Sequence, residues 1–150
     1  MPKVYHKKRA NKDYPQFNVW RGQEYWEWKF YGQKPQKSPR YPTRSQLTQS
    51  EYKKLAYDVY DDKVNREIFS HEDMRAKADQ LDEASALAQG QFDDMNENFQ
   101  QSESAQAMEQ AASDLSAAAD QVRDIADRME AGELGLDEAL EELYETEVEV

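Results

Sequence analysis

The sequence predicts an α+β protein that is mainly α, with a small N-terminal three-stranded antiparallel meander followed by an acidic helical hairpin. Three observations predict it. Residues 24–31, E-Y-W-E-W-K-F-Y, hold five aromatic rings in alternation with charged side chains, as in a strand. From Thr48 onward, apolar residues recur at helical spacing. Charge divides along the chain: residues 1–54 hold thirteen Lys/Arg against four Asp/Glu (+9), and residues 55–150 hold six against twenty-seven (−21). Such asymmetry suggests different partners for the two ends.

Residues 1–16 carry Lys3, Lys7, Lys8, Arg9 and Lys12 without periodic pattern, and read as a mobile basic arm. Residues 17–64 read as the meander with a first helix. F-N-V-W (17–20) is the expected first strand, Arg21-Gly22-Gln23 a turn, and Glu24–Tyr31 the long strand. After Gly32, residues 33–40 return as an edge strand, because Pro35 and Pro39 exclude it from the middle of a sheet. Side chains alternate across a strand, so Trp26, Trp28 and Phe30 share one face and Tyr25, Glu27, Lys29 and Tyr31 the other. The tryptophan face is the expected core, and the tyrosine face a wet contact surface. Thr48-Gln49-Ser50-Glu51 has the form of a capping box opening a helix over 49–62, with Leu55 and Val59 as a lid on the tryptophans.

Residues 65–150 read as the acidic hairpin and tail. Ser70-His71-Glu72-Asp73 marks a second helix start, with carboxylates placed to complement the helix dipole. That helix runs to about residue 95, and Ser102 or Ser104 caps the next. Met108, Ala111, Leu115, Ala118, Val122, Ile125 and Met129 follow at alternating steps of three and four, which is a coiled-coil seam. Its partner is either the 71–95 helix or a second copy, so a homodimer is one expectation. Ala131-Gly132 ends the helix, and a short one follows over 136–145.

Composition and motif chemistry argue against an enzyme. There is no cysteine, and His6 and His71 are the only histidines, neither near a serine motif. A nucleophile needs an oriented base, and two histidines without cysteine make a poor zinc site. The five glycines are isolated, so no phosphate-cradling loop exists. No catalytic residue, metal or cofactor is expected. No apolar run is long enough for a membrane span and the N-terminus lacks a signal-peptide core, which predicts a soluble, non-secreted protein.

Binding chemistry remains. Tyr25, Lys29, Tyr31, Lys34, Lys37, Arg40 and Arg44 combine rings and cations in the pattern that grips phosphates and stacks on bases. Asp114, Asp120, Asp124 and Asp127 line the third helix and could imitate the charge spacing of a duplex.

The opening M-P-K-V-Y-H-K-K-R-A-N-K-D, Y-W-E-W-K-F-Y-G at 25–32 and P-T-R-S-Q-L-T-Q-S at 42–50 resemble small uncharacterised proteins of tailed phages. The resemblance covers about the first third of the chain and carries no functional residue with it. It implies a phage product acting in the host cytoplasm. The expectation is therefore an accessory protein that binds and inhibits, or redirects, a host nucleic-acid-handling protein complex. The alternatives are direct nucleic-acid binding through the N-terminal segment and a structural role in the virion.

Overall fold

The computed structural model describes residues 1–61 and 67–150. It is α+β and mainly α, in two compact units, Met1–Thr48 and Gln49–Val150.

The first unit holds strands β1 (Tyr5–Lys7), β2 (Tyr25–Trp28) and β3 (Gln36–Ser38), antiparallel in the order β1-β2-β3. Tyr5 pairs with Glu27, His6 with Trp26 and Lys7 with Tyr25; on the other side Trp26 pairs with Ser38 and Glu27 with Lys37. The meander is present as expected, but its first strand is different. It comes from the basic arm, whereas Pro15–Phe17 forms a 3-10 turn and Val19 folds back to bridge Tyr14. Asn18 closes that turn at φ 55°, a left-handed conformation that asparagine tolerates better than most residues. The edge position of β3 agrees with its flanking prolines.

Directly opposed residues of antiparallel strands share a face. One face therefore carries His6, Trp26 and Ser38, and the other Tyr5, Glu27 and Lys37, with Lys7 and Tyr25. The alternation in β2 is as read, but burial is not confined to the tryptophan side. Tyr25 is buried with Ala10 and Val19, under Tyr14 and Phe17, so it is a core residue and not part of a wet surface. Trp28 is buried too, while Trp26 and Phe30 are only half-buried. The segment between β1 and β2 covers the tyrosine side, held by hydrogen bonds from the Ala10 amide to the Gln23 carbonyl and from the Gly22 amide to the Ala10 carbonyl, each 2.8 Å.

The second unit contains α1 (Glu51–Tyr60), α2 (His71–Asp93), the one-turn α3 (Glu97–Gln100), α4 (Glu103–Glu130) and α5 (Leu136–Glu145). Helix α1 opens at Ser50 with no side-chain cap hydrogen bond, in place of the expected capping box at Thr48. Its Tyr52, Ala56, Val59 and Tyr60 belong to the core formed with α2 and α4, so this helix groups with the helices and not with the sheet. The expected division at residue 64, and the expected helix end at residue 62, lie outside the described residues.

Helix α2 starts where its sequence signal lies. Ser70 Oγ accepts from the Asp73 amide at 3.3 Å, and Asp73 Oδ2 accepts from the Phe69 amide at 2.9 Å. Two otherwise orphaned donors are thereby satisfied. Ser102 caps α4 by accepting from the Ala105 amide. That helix ends at Gly132 (φ 77°), where the Glu133 amide donates back to the Arg128 carbonyl.

Helices α2 and α4 run antiparallel: Arg75 reaches Asp127, Arg123 reaches Asp79, and Ser85 Oγ donates to the Ala112 carbonyl at 2.6 Å. The seam read from the sequence is buried within this chain, with Met74, Ala78, Leu81, Ala84 and Ala88 of α2 in the same core. A second buried line, Ala105, Ala112, Ala119 and Ala126, widens it. Alanine contributes little apolar area at about 25 cal/mol per Å². The larger contributions come from fully buried Met74, Leu81, Leu115, Val122 and Leu143. Among the described residues, no helix is long and apolar enough to cross a membrane.

Candidate functional site

In the sheet unit, the residues named from the sequence separate into three groups. Tyr25 is core. Lys37 is only 11% exposed, with Nζ 3.3 Å from Glu27 Oε1 and 4.6 Å from the centre of the Tyr14 ring, so carboxylate and ring hold it in the fold. Arg44 is half-buried and already engaged within the chain. Lys29, Lys34 and Arg40 are exposed and, among the described residues, make no ion pair. Tyr31 is fully exposed at the β2–β3 turn, where Gly32 (φ 72°) supplies the left-handed residue and the Gln33 amide donates to the Phe30 carbonyl.

The sequence reading missed a ring series on the tryptophan face. The His6 and Trp26 ring centres are 5.0 Å apart, and Tyr41 meets Trp26 edge-on at 6.3 Å. His6 Nε2 also lies against Glu24 Oε1. No local signal could have joined these three, because His6 arrives through long-range strand pairing and Tyr41 lies beyond β3. The pairing of β1 with β2 is what places His6 beside Trp26.

In the helical unit, the four aspartates are not one row. Asp114 accepts from Gln110 Nε2 at 2.9 Å. Asp120 lies 3.4 Å from Arg123, Asp124 lies 3.1 Å from Arg128, and Asp127 lies 3.0 Å from Arg75. Each arginine also reaches a neighbouring element. Arg75 of α2 binds Glu130 of α4, Arg123 of α4 binds Asp79 and Asp82 of α2, and Arg128 of α4 binds Glu142 of α5. These hydrogen bonds raise the three guanidinium pKa values further, and Arg75 lowers that of Glu130. Lys77 is buried and paired with Glu67.

Asp120 and Asp124 do come together, in an open groove of about 550 Å³ between α4 and α5. Glu142 and Glu145 line its other wall, and Arg128 is its one cation. Beyond it, residues 133–150 carry eight Asp/Glu and no Lys/Arg, with Asp137, Glu138, Glu141 and Glu145 exposed on α5. This run of acids was visible in the sequence.

Among the described residues, no cluster of three or more His, Asp or Glu is arranged to hold a metal ion. No protein-family model, curated protein or solved structure matches this chain.

Proposed function

We propose that this chain is a non-enzymatic phage accessory protein that binds and inhibits, or redirects, a host nucleic-acid-handling protein in the bacterial cytoplasm. The acidic helical unit is the docking surface. One observation carries this reading: Arg75, Arg123 and Arg128 are all turned into ion pairs between the unit's own helices. The unit holds twenty-eight Asp/Glu against eight Lys/Arg, so with those three arginines engaged its carboxylates far outnumber the remaining five cations. A net charge of −20 exceeds what solubility asks of a small domain, about 2–8 in magnitude. A basic groove that ordinarily takes a phosphate backbone is the complementary partner.

The focus moves from the aspartates of α4 toward α5. Asp120 and Asp124 contribute through the groove, whereas Asp114 and Asp127 are not part of its lining. The motifs at 25–32 and 42–50 support the phage origin.

The test is capture from bacterial lysate on the immobilised full-length protein, with and without nuclease. The expected result is a host protein retained after nuclease, displaced by excess duplex DNA, and lost in a Glu138→Lys/Glu141→Lys/Glu145→Lys variant. Retention that neither duplex nor charge reversal disturbs would overturn this reading, as would loss of everything on nuclease treatment.

A further inference from the structure

We propose that the sheet face bearing His6, Trp26 and Tyr41 is a stacking platform for single-stranded nucleic acid. The three rings form a connected series, with centre-to-centre steps of 5.0 Å and 6.3 Å. The outer two are accessible, Tyr41 at 62% and the His6 side chain at 44%. A series of rings on a sheet, partly open to solvent, offers π-faces to successive bases whatever their sequence.

Charge selects the ligand. The sheet unit holds eleven Lys/Arg against three Asp/Glu, +8. Lys8 and Arg40, each two positions beyond a residue paired to Trp26, are exposed and, among the described residues, without an ion pair. This contrasts with the helical unit, whose arginines are held by its own carboxylates. Lys8 and Arg40 are thus available to phosphates. A duplex keeps its bases stacked on one another and offers these rings nothing but phosphates. A single strand offers both chemistries, which is why it is the ligand assigned.

This inference is independent of the helical-unit reading, because failure to bind an oligonucleotide leaves capture of a host protein unaffected. The experiment titrates full-length protein with a fluorescently labelled dT oligonucleotide of about 20 nucleotides and with a duplex of equal length. Binding to the single strand should be tighter, should quench tryptophan fluorescence, and should fall with salt by roughly 0.7 log units per phosphate neutralised. Tyr41→Ala should weaken it by roughly 5- to 150-fold, the worth of one stacked base, while Tyr41→Phe keeps it. Tyr41 is exposed, so an unchanged melting temperature will show that both variants remain folded. Lys8→Ala with Arg40→Ala should flatten the salt slope. The proposal falls if no binding is seen at low salt. It falls also if the duplex binds equally well and Tyr41→Ala has no effect, which would indicate unspecific charge attraction. Competition by poly-glutamate as strong as by unlabelled oligonucleotide would overturn it in favour of an acidic protein ligand.

Discussion

The hydroxyl of Tyr60 lies 3.3 Å from the carbonyl oxygen of Thr146 and 3.2 Å from its Oγ1, tying the last residue of α1 to the residue that caps α5. Thr146 Oγ1 donates in turn to the Leu143 carbonyl at 2.7 Å, so its lone pairs remain open to Tyr60. The first and last helices of the acidic unit are joined there, although 86 residues separate the partners.

Tyr60→Phe should therefore lower the stability of the helical unit by about 0.5–1.5 kcal/mol, the usual net worth of one such bond. Urea unfolding followed by circular dichroism checks this. Burial, ahead of the opposing hydrogen bond to Thr146, raises the Tyr60 pKa above its ordinary 10.0. A raised pKa means stability that is complete below the unfolded value and lost as pH rises through the folded one. The wild type should thus weaken above about pH 10, and Tyr60→Phe should remove that part of the alkaline loss.

Arg75 and Glu130 give the opposite sign. The hydrogen bond from Arg75 lowers the Glu130 pKa below its ordinary 4.5, so this contribution is present above that value and lost as pH falls through the lowered one. Arg75→Met should melt below the wild type near neutral pH, and the gap should close as the pH approaches 2. A gap independent of pH would mean that the arginine acts through its aliphatic packing alone.

Trp28 is only 3% exposed in a small sheet with few other large buried side chains. Trp28→Ala should cost about 3–5 kcal/mol. Hydrogen exchange at the amides of 25–28 should then become rapid.

The α4 seam is already filled within the chain. Sedimentation should be independent of protein concentration, and Ala118→Glu should loosen the bundle by placing a charge at a position 1% exposed. A concentration-dependent shift would indicate that another surface joins two copies.

The helices were legible because their signals are local. Ser70 and Ser102 cap by reaching an amide three residues on, and the alternating three–four spacing of α4 states its buried side directly. The sheet was half legible. Alternation placed Tyr25 and Trp28 on opposite faces, but the burial of the Tyr25 face depends on Ala10, Tyr14, Phe17 and Val19 folding across β2. Strand β1, Tyr-His-Lys, has no apolar signature; it is a strand because β2 offers it a partner. For the same reason, the ion pairs of Lys37 and Asp127 within the chain were not legible in the sequence. Their counter-charges, Glu27 and Arg75, sit close by only once the chain has folded.

The alanines at 105, 112, 119 and 126 recur every seven residues, so the apolar ladder looks much the same after a slide of two helical turns. Small, identical side chains give close approach but little power to tell one offset from the next. The arginine pairs break that degeneracy. Arg75 meets Asp127 and Glu130, and Arg123 meets Asp79 and Asp82, at one offset alone. Exposed ion pairs of this kind are weak individually. Here they act as a vernier, marking which of several nearly equivalent alignments of two smooth helices is the native one.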